Sequence, residues 1–148
     1  MKSYKVPKIR LSYVADITTD TKMVNSSCVS AELLRSSYEE GEMDYREFFK
    51  VLYLNRALKP LGIQTISMGG TTATIVDPKM IFSGALLANA QSIILCHNHP
   101  SGSLAPSAPD DALTRKLVEA GNLLDIKVTD HIILSSTGYY SYNDNCRL

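Results

Sequence analysis

Ile9, Leu11, Tyr13, Ala15 and Ile17 alternate with mostly polar or small neighbours, the period of a half-buried strand. Asn25 or Ser26 then caps a helix running to about Tyr38, with Leu33 and Leu34 on its buried face. Glu39 to Asp44 is polar and carries Gly41, so it reads as a loop or a frayed helix end. Phe48 to Leu54 (FFKVLYL) is dense in aromatic and aliphatic residues and suits a central strand. Asn55-Arg56 turns it, and Ile63 to Met68 returns as a second strand ending at Gly69-Gly70. Asp77-Pro78 starts a helix, a capping carboxylate followed by proline at the first helical position. That helix extends to about Ala90, with Gly84 as its weak point. Ser92 to Cys96 (SIILC) is a short apolar strand, followed by a Gly/Ser/Pro loop from Pro100 to Pro106. Ser107 opens a helix through about Leu124, with Leu113, Leu117, Ala120 and Leu124 facing the core. Val128 to Leu134 and Tyr139 to Tyr142 supply two final strands. Strands and helices interleave, which predicts an α/β fold with helices covering a mixed sheet. No repeat or linker-like shift in composition interrupts residues 1–148, so they read as one domain.

At 148 residues the chain is long enough to bury a core without staples. Fifteen basic residues balance fifteen acidic ones, and no run of Lys or Arg occurs. Charge therefore gives no case for a nucleic-acid or membrane-surface partner. The three cysteines, Cys28, Cys96 and Cys146, are odd in number and form no C-x-x-C pair. That argues against a disulfide framework and a cysteine-built zinc site, and a reducing cytoplasm is the expected compartment. The N-terminus lacks the apolar core of a signal peptide, and no apolar run approaches membrane-spanning length.

The chemistry concentrates in HNHPSGSLAPSAPD, an H-x-H-x7-S-x2-D pattern of His97, His99, Ser107 and Asp110. With only three histidines in the chain, two at this spacing make a rare coincidence. In an extended segment, side chains two apart share a face, so His97 and His99 point together while Asn98 points away. Two imidazoles and a carboxylate are three protein ligands, the number a catalytic zinc uses when its fourth position is left for water. Asp110 lies at a helix start, and the intervening loop, with Gly102 and its prolines, has to fold back to bring it in. Ser107-Ala108-Pro109-Asp110 is itself a helix-start signature, and the capping and metal roles are compatible. A zinc so held lowers the pKa of bound water to about 7 and polarises a carbonyl. Hydrolysis then needs a nearby general base, a carboxylate or another histidine. It also needs a donor for the developing oxyanion, for which Ser107 is the candidate.

The constellation resembles the JAMM (JAB/MPN) metalloprotease motif, a distant upstream Glu followed by H-x-H-x7-S-x2-D. HNHPSG with PS-x-x-D is similar, more closely, to the RadC branch of that family. Glu47 to Asn55 (EFFKVLYLN) resembles its E-x-F-x-V-L-x-L-D/N strand, and Val128 to Ile133 (VTDHII) its V-x-D-H-I-I segment. The likeness covers about residues 47–142. It implies a cytidine-deaminase-like α/β/α layered sandwich with a mixed β-sheet. It implies zinc on His97, His99 and Asp110, Ser107 on the oxyanion side, and Glu47 as the base. Taken alone, Glu47 reads as a solvated strand-edge residue, and Glu42, Glu40 and Glu39 are the fallback bases. Longer RadC proteins carry an N-terminal helix–hairpin–helix segment. Only about forty-six residues precede Glu47 here, with Gly41 their single glycine, so the chain resembles the short stand-alone form.

The expected function is therefore that of a zinc-dependent metallopeptidase- or isopeptidase-like hydrolase acting on a peptide, isopeptide or related amide. The alternative is a DNA-repair-associated or protein-binding module that retains zinc without peptidase activity. A nuclease is disfavoured because one three-ligand site offers no second metal to clamp a phosphodiester leaving group. A zinc deaminase needs H-x-E and P-C-x-x-C, and both are absent. Asp130-His131 reads as a structural strand-start pair, in preference to a supporting role in which Asp130 orients a ligand imidazole. Cys96 reads as a core thiol, Asn98 as a partner for loop backbone, and Ser101 and Ser103 as loop residues without a motif role. Tyr139, Tyr140 and Tyr142 read as completing a sheet rather than stacking on bases. Phe48, Phe49 and Tyr53 are the candidate surface for a homo-oligomer.

Overall fold

The computed structural model describes residues 6–15, 22–69 and 75–148. Helix α1 (Ser27–Arg35) starts where Ser26 accepts the Val29 N–H with its hydroxyl. It ends before Tyr38 because Ser36 and Ser37 turn their hydroxyls back onto the Leu33 and Leu34 carbonyls, competing with further helix. A one-turn helix, α2 (Glu42–Tyr45), occupies the end of the polar stretch. Strand β1 (Phe48–Leu54) follows as expected. Asn55 accepts from the Ala57 and Lys59 N–H groups through Oδ1, which shapes the turn into β2 (Pro60–Met68). Strand β2 thus starts three residues earlier than the sequence pattern suggests. As an edge strand it tolerates the proline. Asp77 caps α3 (Pro78–Leu87), and β3 (Ser92–Asn98), α4 (Ala108–Leu123), β4 (Lys127–Leu134) and β5 (Tyr139–Ser141) complete the order.

The strands form one mixed sheet in the order β2-β1-β3-β4-β5. Only β3 and β4 run parallel, joined by the α4 crossover that a parallel pair requires. Strands β1 and β3 are buried along their whole length because both faces of the sheet are covered. On one face Phe49, Val51, Tyr53, Ile93 and Leu95 pack with Ile81, Phe82 and Ala85 of α3 and Leu117 of α4. On the other, Leu52, Leu54, Ile94, Cys96, Ile132 and Leu134 pack with Ala31 and Leu34 of α1.

Three expectations are corrected. Residues 6–15 form no strand: Ile9 and Leu11 are exposed, and Ile17 lies outside the described residues. Alternation alone fixes no strand without a ladder partner, and Tyr13 reaches the body through its hydroxyl, which donates to the Leu61 carbonyl. On α4 Leu117 is buried and Leu113 and Ala120 pack partly buried against the core, joined by buried Thr114 and Gly121, but Leu124 lies past the helix end and is exposed. Phe48, Phe49 and Tyr53 are core residues, so they cannot form an oligomer interface. Among the described residues, no helix is long and apolar enough to cross a membrane.

Cys96 is fully buried, and burial pushes its thiol up to about 12. Cys28 and Cys146 are exposed. Since the thiolate is the reactive form, an aromatic disulfide reagent at neutral pH should titrate two thiols in the native protein. The third should appear only after denaturation; three thiols reacting at once in the native state would contradict this packing.

Candidate metal centre

Strand β3 carries His97 to the face covered by α3 and α4, where its ring stacks on Phe49 with centroids 6.2 Å apart and planes 5° apart. Asn98 points to the other side. Its Oδ1 accepts the Phe48 N–H at 2.8 Å, and its Nδ2 donates to the Met43 and Arg46 carbonyls, each at 2.8 Å. Asn98 therefore binds backbone, as its position in the alternation predicts. His99 follows the strand end, its N–H donating to the Leu134 carbonyl at 2.9 Å. The loop folds back through Gly102, whose φ of +82° few other residues adopt, with the Gly102 N–H donating to the His99 carbonyl at 3.0 Å. His99 Nδ1 lies 2.6 Å from the Ser103 carbonyl. A carbonyl only accepts, so Nδ1 carries a proton and Nε2 is the nitrogen turned toward Asp110 and His97.

Helix α4 delivers the carboxylate. Ser107 is its N-cap: the Ser107 Oγ accepts the Asp110 N–H at 3.2 Å, and Asp110 Oδ2 accepts the Ser107 N–H at 2.8 Å. This reciprocal box fixes the Asp110 rotamer and leaves the carboxylate facing the imidazoles. His97 Nε2 and His99 Nε2 are 3.0 Å apart, and Asp110 Oδ1 and Oδ2 lie 3.4 and 3.7 Å from them respectively. A tetrahedral ion about 2.0–2.1 Å from each ligand needs ligand atoms roughly 3.3–3.4 Å apart. The observed separations bracket that value, so the three side chains are able to hold a metal ion, all within 4.8 Å of one another.

The electrostatics agree. Burial pushes the Asp110 carboxyl up, but the His97 and His99 imidazoles beside it outweigh that and hold the group well below the usual carboxylate range. His99 is raised, first by the neighbouring Asp110 carboxylate against the opposing effect of burial; the Ser103 carbonyl and the charge of Glu47 add to the rise. The site stabilises positive charge.

Glu47 immediately precedes β1. It lies two residues before Phe49, which pairs with His97, and its charge bears on His99. Its backbone carbonyl accepts the Gly69 N–H at 2.8 Å. The fallback glutamates lie elsewhere. Glu42 accepts the Glu39 N–H through its carboxylate at 2.9 Å, and the charges of both bear on Lys50, on the opposite face of the sheet.

His131 does more than hold the start of a strand. It is fully buried, with its Nε2 2.8 Å from His97 Nδ1 and its Nδ1 2.6 Å from Thr114 Oγ1. Tyr142 stacks on its other side, centroids 4.8 Å and planes 12° apart, and donates its hydroxyl to Asp111 at 2.9 Å. Asp130 does play the structural part, accepting from Ser141, from the Asn143 N–H and from the His131 N–H. The available signal was parity: β4 runs parallel to β3, and two buried histidines on neighbouring strands are poised to face one another.

A family model described as RadC-like JAB domain matches residues 24–147. A UPF0758 protein of Flavobacterium johnsoniae is 45% identical over 104 residues, covering 70% of this chain and 45% of that protein. A UPF0758 protein of Caldanaerobacter subterraneus is 47% identical over 131 residues, covering 82% of this chain and 56% of its own length. One from Thermotoga maritima is 38% identical over 109 residues, with shares of 72% and 49%. The chain spans about half the length of the curated relatives it matches.

Proposed function

The chain belongs to the RadC-like JAB domain family, and from that premise we propose that it is a zinc-dependent hydrolase of the JAMM type. Its substrates are peptide, isopeptide or related amide bonds. The observation that carries this reading is the convergence of His97 Nε2, His99 Nε2 and the Asp110 carboxylate on one point. Two imidazoles and a carboxylate form a donor set that suits zinc. When bound, zinc supplies a Lewis acid that activates water at neutral pH and polarises a carbonyl. His97, His99 and Asp110 would hold it. Glu47, whose charge bears on His99, takes the proton from the attacking water and returns it to the leaving amine. Ser107 Oγ already accepts the Asp110 N–H, so its own proton is free to donate to the developing oxyanion. The cytidine-deaminase-like layering, a single domain over residues 1–148 and a cytoplasmic setting complete the proposal.

The test is a metal-replete substrate-profiling screen with Glu47→Gln as control. The wild type should bind about one zinc per chain, and Glu47→Gln should keep it while losing turnover by about 10²–10⁴-fold. Undiminished turnover in Glu47→Gln would remove the base. Salt-dependent DNA binding at equal strength in both proteins, without hydrolysis, would favour a binding module instead.

A further inference from the structure

We infer that Thr114 and His131 are positioning residues that set the tautomer of His97, a hydrogen-bonded relay running from the α4 backbone to the metal centre. The inference rests on the ligand role proposed for His97. Three contacts line up in series: Thr114 Oγ1 to the Asp110 carbonyl at 2.7 Å, Thr114 Oγ1 to His131 Nδ1 at 2.6 Å, and His131 Nε2 to His97 Nδ1 at 2.8 Å. The threonine hydroxyl has one proton, and the Asp110 carbonyl has none. With both rings neutral, these three contacts are attractive together in only one assignment. Thr114 donates to the carbonyl, His131 Nδ1–H donates to Thr114, and His97 Nδ1–H donates to His131 Nε2. His97 Nε2 is then left as a lone pair, the form a metal ligand requires. If Thr114 donated to His131 instead, its oxygen would face the Asp110 carbonyl oxygen at 2.7 Å with no proton between them. His97 would then carry its proton on Nε2, aimed into the site.

The surroundings hold this arrangement in register. His131 is sandwiched between Phe49, edge-on at 5.7 Å, and Tyr142, and no carboxylate is hydrogen-bonded to its ring. A charged imidazolium there would be an unpaired buried charge, so the ring is a neutral link with one donor and one acceptor. Thr114 sits one helical turn beyond Asp110, so the helix that presents the carboxylate ligand also fixes the imidazole ligand. The two halves of the metal centre are thereby tied together through one hydroxyl.

The experiment uses the full chain freed of metal, with zinc alone as ligand at fixed pH, measured by chelator competition. Thr114→Val removes the hydroxyl at constant shape and should weaken zinc binding about 10–100-fold, while Thr114→Ser should restore it. Nitrogen-15 NMR of the metal-free wild type should find His97 protonated on Nδ1, with the population moving toward the Nε2-protonated form in Thr114→Val. Zinc binding of Thr114→Val at wild-type strength, or a wild-type His97 protonated on Nε2, would overturn the relay. A merely structural role would lower the melting temperature of both threonine variants without shifting the tautomer. If the wild type takes up no zinc at all, the proposed function falls, and the nitrogen-15 measurement still decides the relay.

Discussion

Asp110→Asn should keep the fold and lose stoichiometric zinc, whereas Asp110→Ala should lose the zinc and weaken the start of α4 as well. The carboxylate has two duties: Oδ2 accepts the Ser107 N–H, and the same group lies 3.4 and 3.7 Å from the two imidazole nitrogens. An asparagine carbonyl oxygen can still accept the Ser107 N–H. It brings no charge to the ion, and it forfeits about 0.3–1 kcal/mol of favourable interaction with the helix terminus. Alanine leaves the Ser107 N–H without its partner, at about 0.5–2 kcal/mol. His99→Ala, which removes a ligand and no cap, should match Asp110→Asn in zinc content and stay close to the wild type in metal-free stability. Metal analysis of purified protein should fall from about one zinc per chain to near zero in all three. Thermal unfolding under chelator should separate the alanine at 110 from the other two. Stoichiometric zinc in His99→Ala or Asp110→Asn would refute the ligand assignment.

The capping contact of Asp110 and its place beside both imidazoles explain why the candidate metal site was legible in the sequence. His97 and Asp110, two of the candidate ligands, are each fixed by a local rule. Strand alternation puts His97 on one face and Asn98 on the other, and the capping signature from Ser107 to Asp110 sets the carboxylate rotamer. The central elements were equally legible because β1, β3 and α4 carry dense apolar patterns bounded by explicit start signals. Where the reading failed, the deciding partner was distant in sequence. Ile9, Leu11 and Tyr13 alternate as a strand would, yet no ladder forms along them. The aromatic run of β1 looks like a sticky surface until helices from both sides of the sheet cover it.

The relay behind His97 escaped for the same reason. His131 pairs with a residue 34 positions away and Thr114 with one 17 positions away, and neither spacing follows a local period. Thr114 in particular looks like a polar interruption of an amphipathic helix. Only the packing shows it to be fully enclosed between the helix backbone and a buried imidazole.

Asn98, which sits between the two imidazoles and touches neither, should prove as costly to replace as a ligand, through a different measurement. Its amide makes three hydrogen bonds, one to β1 and two to the α2–β1 segment, and it is completely buried. Asn98→Asp would set carboxylate oxygen against the Met43 and Arg46 carbonyls that now accept from the amide. Asn98→Ala would leave a buried N–H and two carbonyls without their present partner. Each unsatisfied group costs about 1–3 kcal/mol, more where a charge is involved, so a loss on the order of 3–5 kcal/mol is expected for either. Urea unfolding of the metal-free proteins should show it as a lowered midpoint with an unchanged slope. At temperatures where Asn98→Ala remains folded, His97, His99 and Asp110 still have their own supports, so zinc content should hold near one per chain. Turnover should nevertheless fall, because the segment that Asn98 ties down through Arg46 and Phe48 is the one that carries Glu47. Full activity in a folded Asn98→Ala protein would mean that Glu47 is positioned by something else, and that this asparagine serves stability alone.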